Sequence, residues 1–136
     1  MKVALDSSVL FDVWLPGQIH AESSASAIQS AFEEAQLCIA EPVYAELAAC
    51  FPDRKRLDHF LDETGVEVEP VTRDGAWGAG KAYKAYRKTG GSRSRILADF
   101  LIAGHAISVG AQLLTRDRGF FRLYFKELEL YHPSRA

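Results

Sequence analysis

Four carboxylates, Asp6, Glu46, Asp99 and Asp117, stand in or beside apolar runs where a charged group needs a reason. Asp6 closes Val3-Ala4-Leu5, and Glu46 interrupts Val43-Tyr44-Ala45-Glu46-Leu47. Asp99 lies among Leu97, Phe100, Leu101 and Ile102, and Asp117 follows Leu113-Leu114-Thr115-Arg116. Two carboxylates about 4 Å apart repel by roughly 4 kcal/mol at an effective dielectric of about 20, so a cluster of them calls for a neutralising cation. An all-oxygen cluster with open positions favours Mg²⁺ or Mn²⁺ over zinc. Such an ion serves phosphodiester hydrolysis by acidifying a water and by placing positive charge on the developing phosphorane and the leaving oxygen. Ser8 and Thr115, each two residues from an aspartate, could orient these ligands by hydrogen bonds. Helix capping or turn formation accounts for them equally well.

Taken singly, each acid has an ordinary reading. Asp6 before Ser7-Ser8 reads as a helix N-cap, Glu46 as a solvated helix residue, and Asp117 as a surface ion pair with Arg116 or Arg118. Asp99 is harder to dismiss, because an ionised carboxylate in an apolar helix needs a partner. Arg95, four residues earlier, offers a salt bridge.

The elements around these residues decide whether they meet. Lys2 to Leu5 reads as a buried strand, followed by a helix that stops near Pro16-Gly17. A second helix runs from about Glu22 to Ala35, and Leu37 to Ala40 is short enough for a buried strand. Pro42 opens a third helix, since the first helical turn tolerates a missing N–H. Arg54 to Thr64 is amphipathic, with Leu57, Phe60 and Leu61 at helical spacing. Val66 to Glu69 alternates with period two, as an edge strand does. Thr72 to Thr89 is a helix with a basic outer face. Ile96 to Val109 is a helix apolar nearly all round, with Asp99 in its first turn, and Ala111 to Leu114 and Leu128 to Tyr131 read as the last strands. Alternating strands and helices predict a mostly parallel sheet covered on both faces. Ligands of such sheets bind at the carboxyl ends of the strands. Asp6 and Asp117 fall at that edge by topology, Glu46 starts from it, and Asp99 joins them if its helix begins there.

A chain of 136 residues, 48% of them hydrophobic, predicts one domain spanning 1–136 with a core of its own. No run approaches the roughly 18 uninterrupted apolar residues of a membrane span, and the amino terminus lacks a secretory pattern, so a soluble cytoplasmic protein is expected. Cys38 and Cys50 lack metal spacing and are expected to be buried free thiols. The net charge of −2 conceals an asymmetry: residues 1–80 carry 14 acidic and 5 basic groups, whereas residues 81–126 carry 10 basic groups and only Asp99 and Asp117 as acids. An acidic pocket would repel a polyanion, so positive charge beside it is expected. Lys81, Lys84, Arg87, Lys88, Arg93, Arg95 and Arg116 are therefore candidate contacts for a phosphate backbone. A solvated helix face is the plainer account of the same run.

Val3-Ala4-Leu5-Asp6-Ser7-Ser8-Val9-Leu10, Val43-Tyr44-Ala45-Glu46-Leu47, Ala98-Asp99-Phe100-Leu101-Ile102-Ala103-Gly104-His105-Ala106 and Leu113-Leu114-Thr115-Arg116-Asp117 occur in the order and spacing of PIN-domain nucleases. The chain most resembles the VapC-type toxins of toxin-antitoxin pairs. The resemblance implies a three-layer α/β/α fold around a five-stranded parallel sheet of order 3-2-1-4-5. It also implies Mg²⁺- or Mn²⁺-dependent endoribonuclease activity, a cognate antitoxin and a homodimer. It makes Asp6, Glu46, Asp99 and Asp117 the catalytic and metal-binding quartet, with Ser8 and Thr115 as their supports. The sequence departs from the commoner pattern at Gly104-His105, where small alanines often sit. His105, six residues past Asp99, is displaced by roughly 240° around the helix and is read as a hydrogen-bonded core histidine. His20 is read as an ordinary surface histidine, with RNA contact as its alternative. Two other functions stay open: a housekeeping RNA-processing enzyme without an antitoxin, and a catalytically silent RNA- or protein-binding domain. Phosphotransfer through Asp6 is disfavoured, because such enzymes want a second aspartate where Ser8 stands.

Overall fold

Short buried strands and amphipathic helices alternate along the chain, and the computed structural model describes residues 1–90 and 95–133. The elements are β1 (Lys2–Leu5), α1 (Ser7–Trp14), α2 (Ala21–Glu34), β2 (Gln36–Ala40), α3 (Glu41–Ala48), α4 (Arg54–Thr64), β3 (Val66–Glu69), α5 (Arg73–Lys88), α6 (Leu97–Ser108), β4 (Gln112–Leu114) and α7 (Arg118–Tyr124). The strands form one parallel sheet of order β3-β2-β1-β4. Val3, Leu5, Ile39 and Leu113 are almost wholly buried, as expected of a parallel sheet covered by helices on both faces. β3 is the exposed edge, as its alternating sequence predicts, and Val68 there keeps 45% of its surface.

The expected fifth strand is corrected to a single bridge. Leu128 to Tyr131 lies beside β4, but only Leu113 and Leu130 pair, through Leu113 N–H to the Glu129 carbonyl (2.9 Å) and Tyr131 N–H to the Leu113 carbonyl (2.8 Å). β4 uses all three of its residues to pair with β1, but only Leu113 pairs on its other side. The sequence reading also missed α7, whose seven residues are too few to show helical periodicity. Cys38 is a buried free thiol as expected, but Cys50 is exposed, because it sits in the turn after α3 rather than on the helix face toward the core.

Two packing features fix α6, the helix that carries Asp99. Phe100 is fully buried, and its ring meets Tyr83 and Tyr86 of α5 and Phe120 of α7 at 5.2, 5.4 and 5.5 Å, which pins the first turn. Farther along, α5 and α6 cross where Gly75 meets Gly104. A side-chain carbon on Gly104 would collide with the Gly75 backbone carbonyl, which cannot move aside as a side chain could. The departure at Gly104 therefore has a steric cause, and His105 beside it hydrogen-bonds Glu69 across to β3 at 3.1 Å.

Alanine is the better helix former, yet Gly104→Ala is expected to lower stability by roughly 1–3 kcal/mol through overpacking. Urea denaturation checks this, and an unchanged or raised midpoint contradicts the crossing.

Candidate active site

The backbone brings Asp6 and Thr115 together before any side chain acts. β1 pairs with β4 up to Leu5 and Leu114, and the Asp6 N–H continues that ladder to the Leu114 carbonyl at 2.9 Å. Asp6 occupies the N-cap position of α1, but its side chain makes no cap bond. Instead Asp6 Oδ2 accepts hydrogen bonds from Thr115 Oγ1 (2.7 Å) and Ser8 Oγ (3.1 Å). Thr115 Oγ1 also accepts the Asp117 N–H at 3.0 Å, and Ser8 Oγ accepts the Arg116 N–H at 3.4 Å. The two hydroxyls thus lace the loop after β4 to the loop after β1 and fix the orientation of a largely buried carboxylate.

Glu46 approaches from the second turn of α3. Its Oε1 is buried and finds no hydrogen-bond partner among the described residues. Burial pushes its carboxyl above the ordinary carboxylate range, repulsion from Asp6 and Asp99 adds to the rise, and the Ser7 hydroxyl offsets part of it. Asp99, in the first turn of α6, accepts the Ile96 N–H at 3.2 Å. Burial also raises its carboxyl, and Asp6 and Asp117 add to the rise, against the Ile96 N–H and the Arg95 charge. Repulsion links Glu46 to Asp6 and Asp99, and Asp99 to Asp6 and Asp117, so all four acids share one electrostatic neighbourhood.

The ion pairs differ from those the sequence suggests. Arg95 pairs with Asp117, not Asp99, and lies over the Phe120 ring at 4.1 Å, because α7 presents that ring beside the start of α6. Neither neighbour of Asp117 pairs with it: Arg118 donates to the Tyr131 carbonyl at 3.0 Å, and Arg116 Nε donates to Asp12 Oδ2 at 2.5 Å. Asp12 is buried and takes a second bond from Ser24 Oγ at 2.6 Å. Sequence reasoning overlooked Asp12, although a charged residue in the apolar first helix was the signal for it.

Lys81, Lys84, Arg87 and Lys88 are exposed on α5. Lys84, Arg87 and Lys88 flank a shallow groove of about 420 Å³, whereas Lys81 lies over Trp77 and faces another of about 500 Å³ between α5, α6 and the end of α7. None of the four acids lines either groove. Arg93 falls outside the described residues, and His20 is exposed at the start of α2. These acids offer only carboxylate oxygens, one of them buried and unpaired among the described residues, and such donors suit a hard divalent cation. Among the described residues, the ligand atoms that lie within 4.8 Å of one another in a group of three are those of Cys38, Glu69 and His105 instead.

A PIN-domain family model matches residues 3–126, and the chain belongs to the PIN-domain family. Within it, the chain is 32% identical over 110 residues to a VapC ribonuclease of Mycobacterium bovis, covering 75% of this chain and 84% of that protein. The figures are the same for the ribonuclease VapC42 of Mycobacterium tuberculosis. Among solved structures it resembles VapBC-1 from nontypeable Haemophilus influenzae, with a TM-score of 0.75 at 18% identity, covering 99% of this chain and 100% of that one. It also resembles VapBC2 from Rickettsia felis, bound to a promoter DNA fragment, with a TM-score of 0.71 at 20% identity, covering 96% and 98%. At that identity these two structures show a shared fold. No helix among the described residues is long and apolar enough to cross a membrane.

The raised carboxyls carry a stability consequence. Glu46 and Asp99 hold their protons more tightly in the folded chain than in the unfolded one. Their contribution is therefore full below the ordinary carboxylate values and is lost as pH rises through the raised ones. In chelator, Glu46→Gln is expected to be more stable than the parent at neutral pH, with the gap closing on acidification. Thermal melts across pH measure this, and a variant less stable than the parent at neutral pH contradicts the repulsion.

Proposed function

We propose that the chain is a divalent-metal-dependent endoribonuclease and the toxin member of a toxin-antitoxin pair. Asp6, Glu46, Asp99 and Asp117 hold Mg²⁺ or Mn²⁺. The observation that carries this reading is the buried, unpaired Glu46 Oε1, at a site where burial and the neighbouring acids raise the proton affinity of Glu46 and Asp99. Such a site is satisfied by protons or by a cation, and at neutral pH the cation is the available choice. The VapC ribonucleases to which the chain is similar supply RNA as the substrate class. The VapBC structures that share its fold supply the antitoxin as a partner.

When bound, the ion would supply a more acidic water for attack on phosphorus and positive charge for the leaving oxygen; a 5′-phosphate and a 3′-hydroxyl are the products by analogy with the family. Thr115 and Ser8 both donate to Asp6 Oδ2, which leaves Oδ1 without a hydrogen bond among the described residues and open to an ion. Arg116 spends Nε on Asp12 and keeps its two terminal nitrogens for a substrate phosphate. Arg95 lowers the repulsion at Asp117 and, with Lys81, Lys84, Arg87, Lys88 and Arg93, draws the RNA backbone past the acids. A homodimer and a cytoplasmic location follow from the same family reading.

Purified protein incubated with total RNA in Mg²⁺, Mn²⁺ or chelator tests the activity. Cleavage is expected only with the metals. Asp6→Asn and Asp99→Asn should each lose more than the roughly 100-fold that removal of an outer partner gives. Full cleavage in chelator, or by both variants, overturns the metal reading; RNA binding without cleavage overturns the enzymatic one. Growth arrest on expression, relieved by a small protein encoded beside it, is expected of a toxin. For Arg116→Met, the slope of log affinity against log salt should fall by about 1 if a phosphate contact is lost; an unchanged slope leaves Arg116 as a tie to Asp12 alone.

A further inference from the structure

Three residues that the four acids do not involve meet near the far end of α6. Cys38 of β2, Glu69 of β3 and His105 of α6 each offer one ligand atom, and these atoms all lie within 4.8 Å of one another. Cys38 and His105 are almost wholly buried, and Glu69 is partly exposed. His105 Nε2 lies 3.1 Å from Glu69 Oε1, and Lys2 Nζ donates to Glu69 Oε2 at 2.5 Å. Such a network is an odd choice for the interior, because well-packed apolar residues commonly serve stability as well as a buried ion pair does.

We propose that Cys38, Glu69 and His105 form a second metal site, for a borderline-soft dication of the Zn²⁺ class, separate from the all-oxygen pocket. The donor set argues for that class: a thiolate and an imidazole favour Zn²⁺, whereas the four carboxylates favour Mg²⁺ or Mn²⁺. A dication balances one thiolate and one carboxylate, and with Lys2 paired to Glu69 the set carries one net positive charge at its solvent-facing rim. Lys2, with a third of its side chain exposed, stays at the rim and orients Glu69 through its other oxygen.

The proton balance is explicit. Burial, reinforced by Glu69, pushes the Cys38 thiol up to about 12, so without an ion it stays protonated. The ion displaces that proton to solvent. The proton on His105 Nε2, required by its bond to Glu69, moves to Nδ1. Nδ1 is buried without a partner among the described residues. The ring therefore carries one unpaired nitrogen in either tautomer, and the exchange trades one unmet group for another. Three protein donors leave a fourth tetrahedral position for a water. His105 sits six residues beyond Asp99, roughly 9 Å along α6. An ion here ties α6 to β2 and β3 without touching the acids of the first turn.

Titration with Co²⁺, followed by absorbance, tests this, because only a thiolate ligand gives the near-ultraviolet sulfur-to-cobalt charge-transfer band. The band is expected in the parent protein, in the Asp6→Asn/Asp99→Asn double variant and in Cys50→Ser, with Zn²⁺ displacing Co²⁺ and erasing it. Cys38→Ser should abolish it, and Glu69→Gln, checked for folding by circular dichroism, should weaken Co²⁺ binding at least about tenfold. Absence of the band from the parent protein, its loss in Cys50→Ser, or full Co²⁺ affinity in Glu69→Gln overturns the site.

Discussion

Repulsion among four carboxylates is the constraint under which the surrounding structure exists: Glu46 is repelled by Asp6 and Asp99, and Asp99 by Asp6 and Asp117. Each comes from a different part of the chain: the end of β1, the body of α3, the first turn of α6 and the loop after β4. Left free, they would turn outward to water. They are kept in place by hydroxyl donors, by packing and, at Asp117, by an arginine. The Thr115 and Ser8 hydroxyls clasp Asp6, the Phe100 ring locks the turn that bears Asp99, and the Gly75–Gly104 crossing sets how closely α6 approaches α5. Packing energy is spent to hold charges where they are unwelcome. An arrangement of that kind marks sites where a cation or a reaction supplies the compensation.

Positive charge meets the acids directly at Asp117, which Arg95 neutralises while stacking on Phe120. Arg116 is anchored by buried Asp12, which leaves part of its guanidinium uncommitted. The α5 lysines and arginine are exposed beside grooves that none of the four acids lines, with Lys81 over Trp77 and Arg87 over Tyr83.

Much of this was legible in the sequence, for identifiable reasons. β1, α4 and β3 have the ends read from their patterns, because Asp6, the Asp53 cap and Gly65 punctuate them sharply. The meeting of the loops after β1 and β4, where Asp6 and Thr115 hydrogen-bond, followed from topology, since residues after parallel strands share an edge whatever the side-chain details. Partner choice was not legible. Local spacing offered Arg95 to Asp99, but the loop after β4 brings Asp117 closer, a long-range fact that no window of sequence contains. The Asp12–Arg116 pair spans 104 positions and the Lys2–Glu69 pair spans 67, and both were invisible for the same reason. The weak fifth strand and the seven-residue α7 are too short for periodicity to report.

The most direct test of the account is a crystal of the protein soaked in Mn²⁺ and measured at the manganese absorption edge. The account predicts anomalous density bounded by oxygens of Asp6, Glu46 and Asp99, with Asp117 beside it. An empty site at saturating Mn²⁺, with Asp6, Glu46 and Asp99 turned apart, would contradict it.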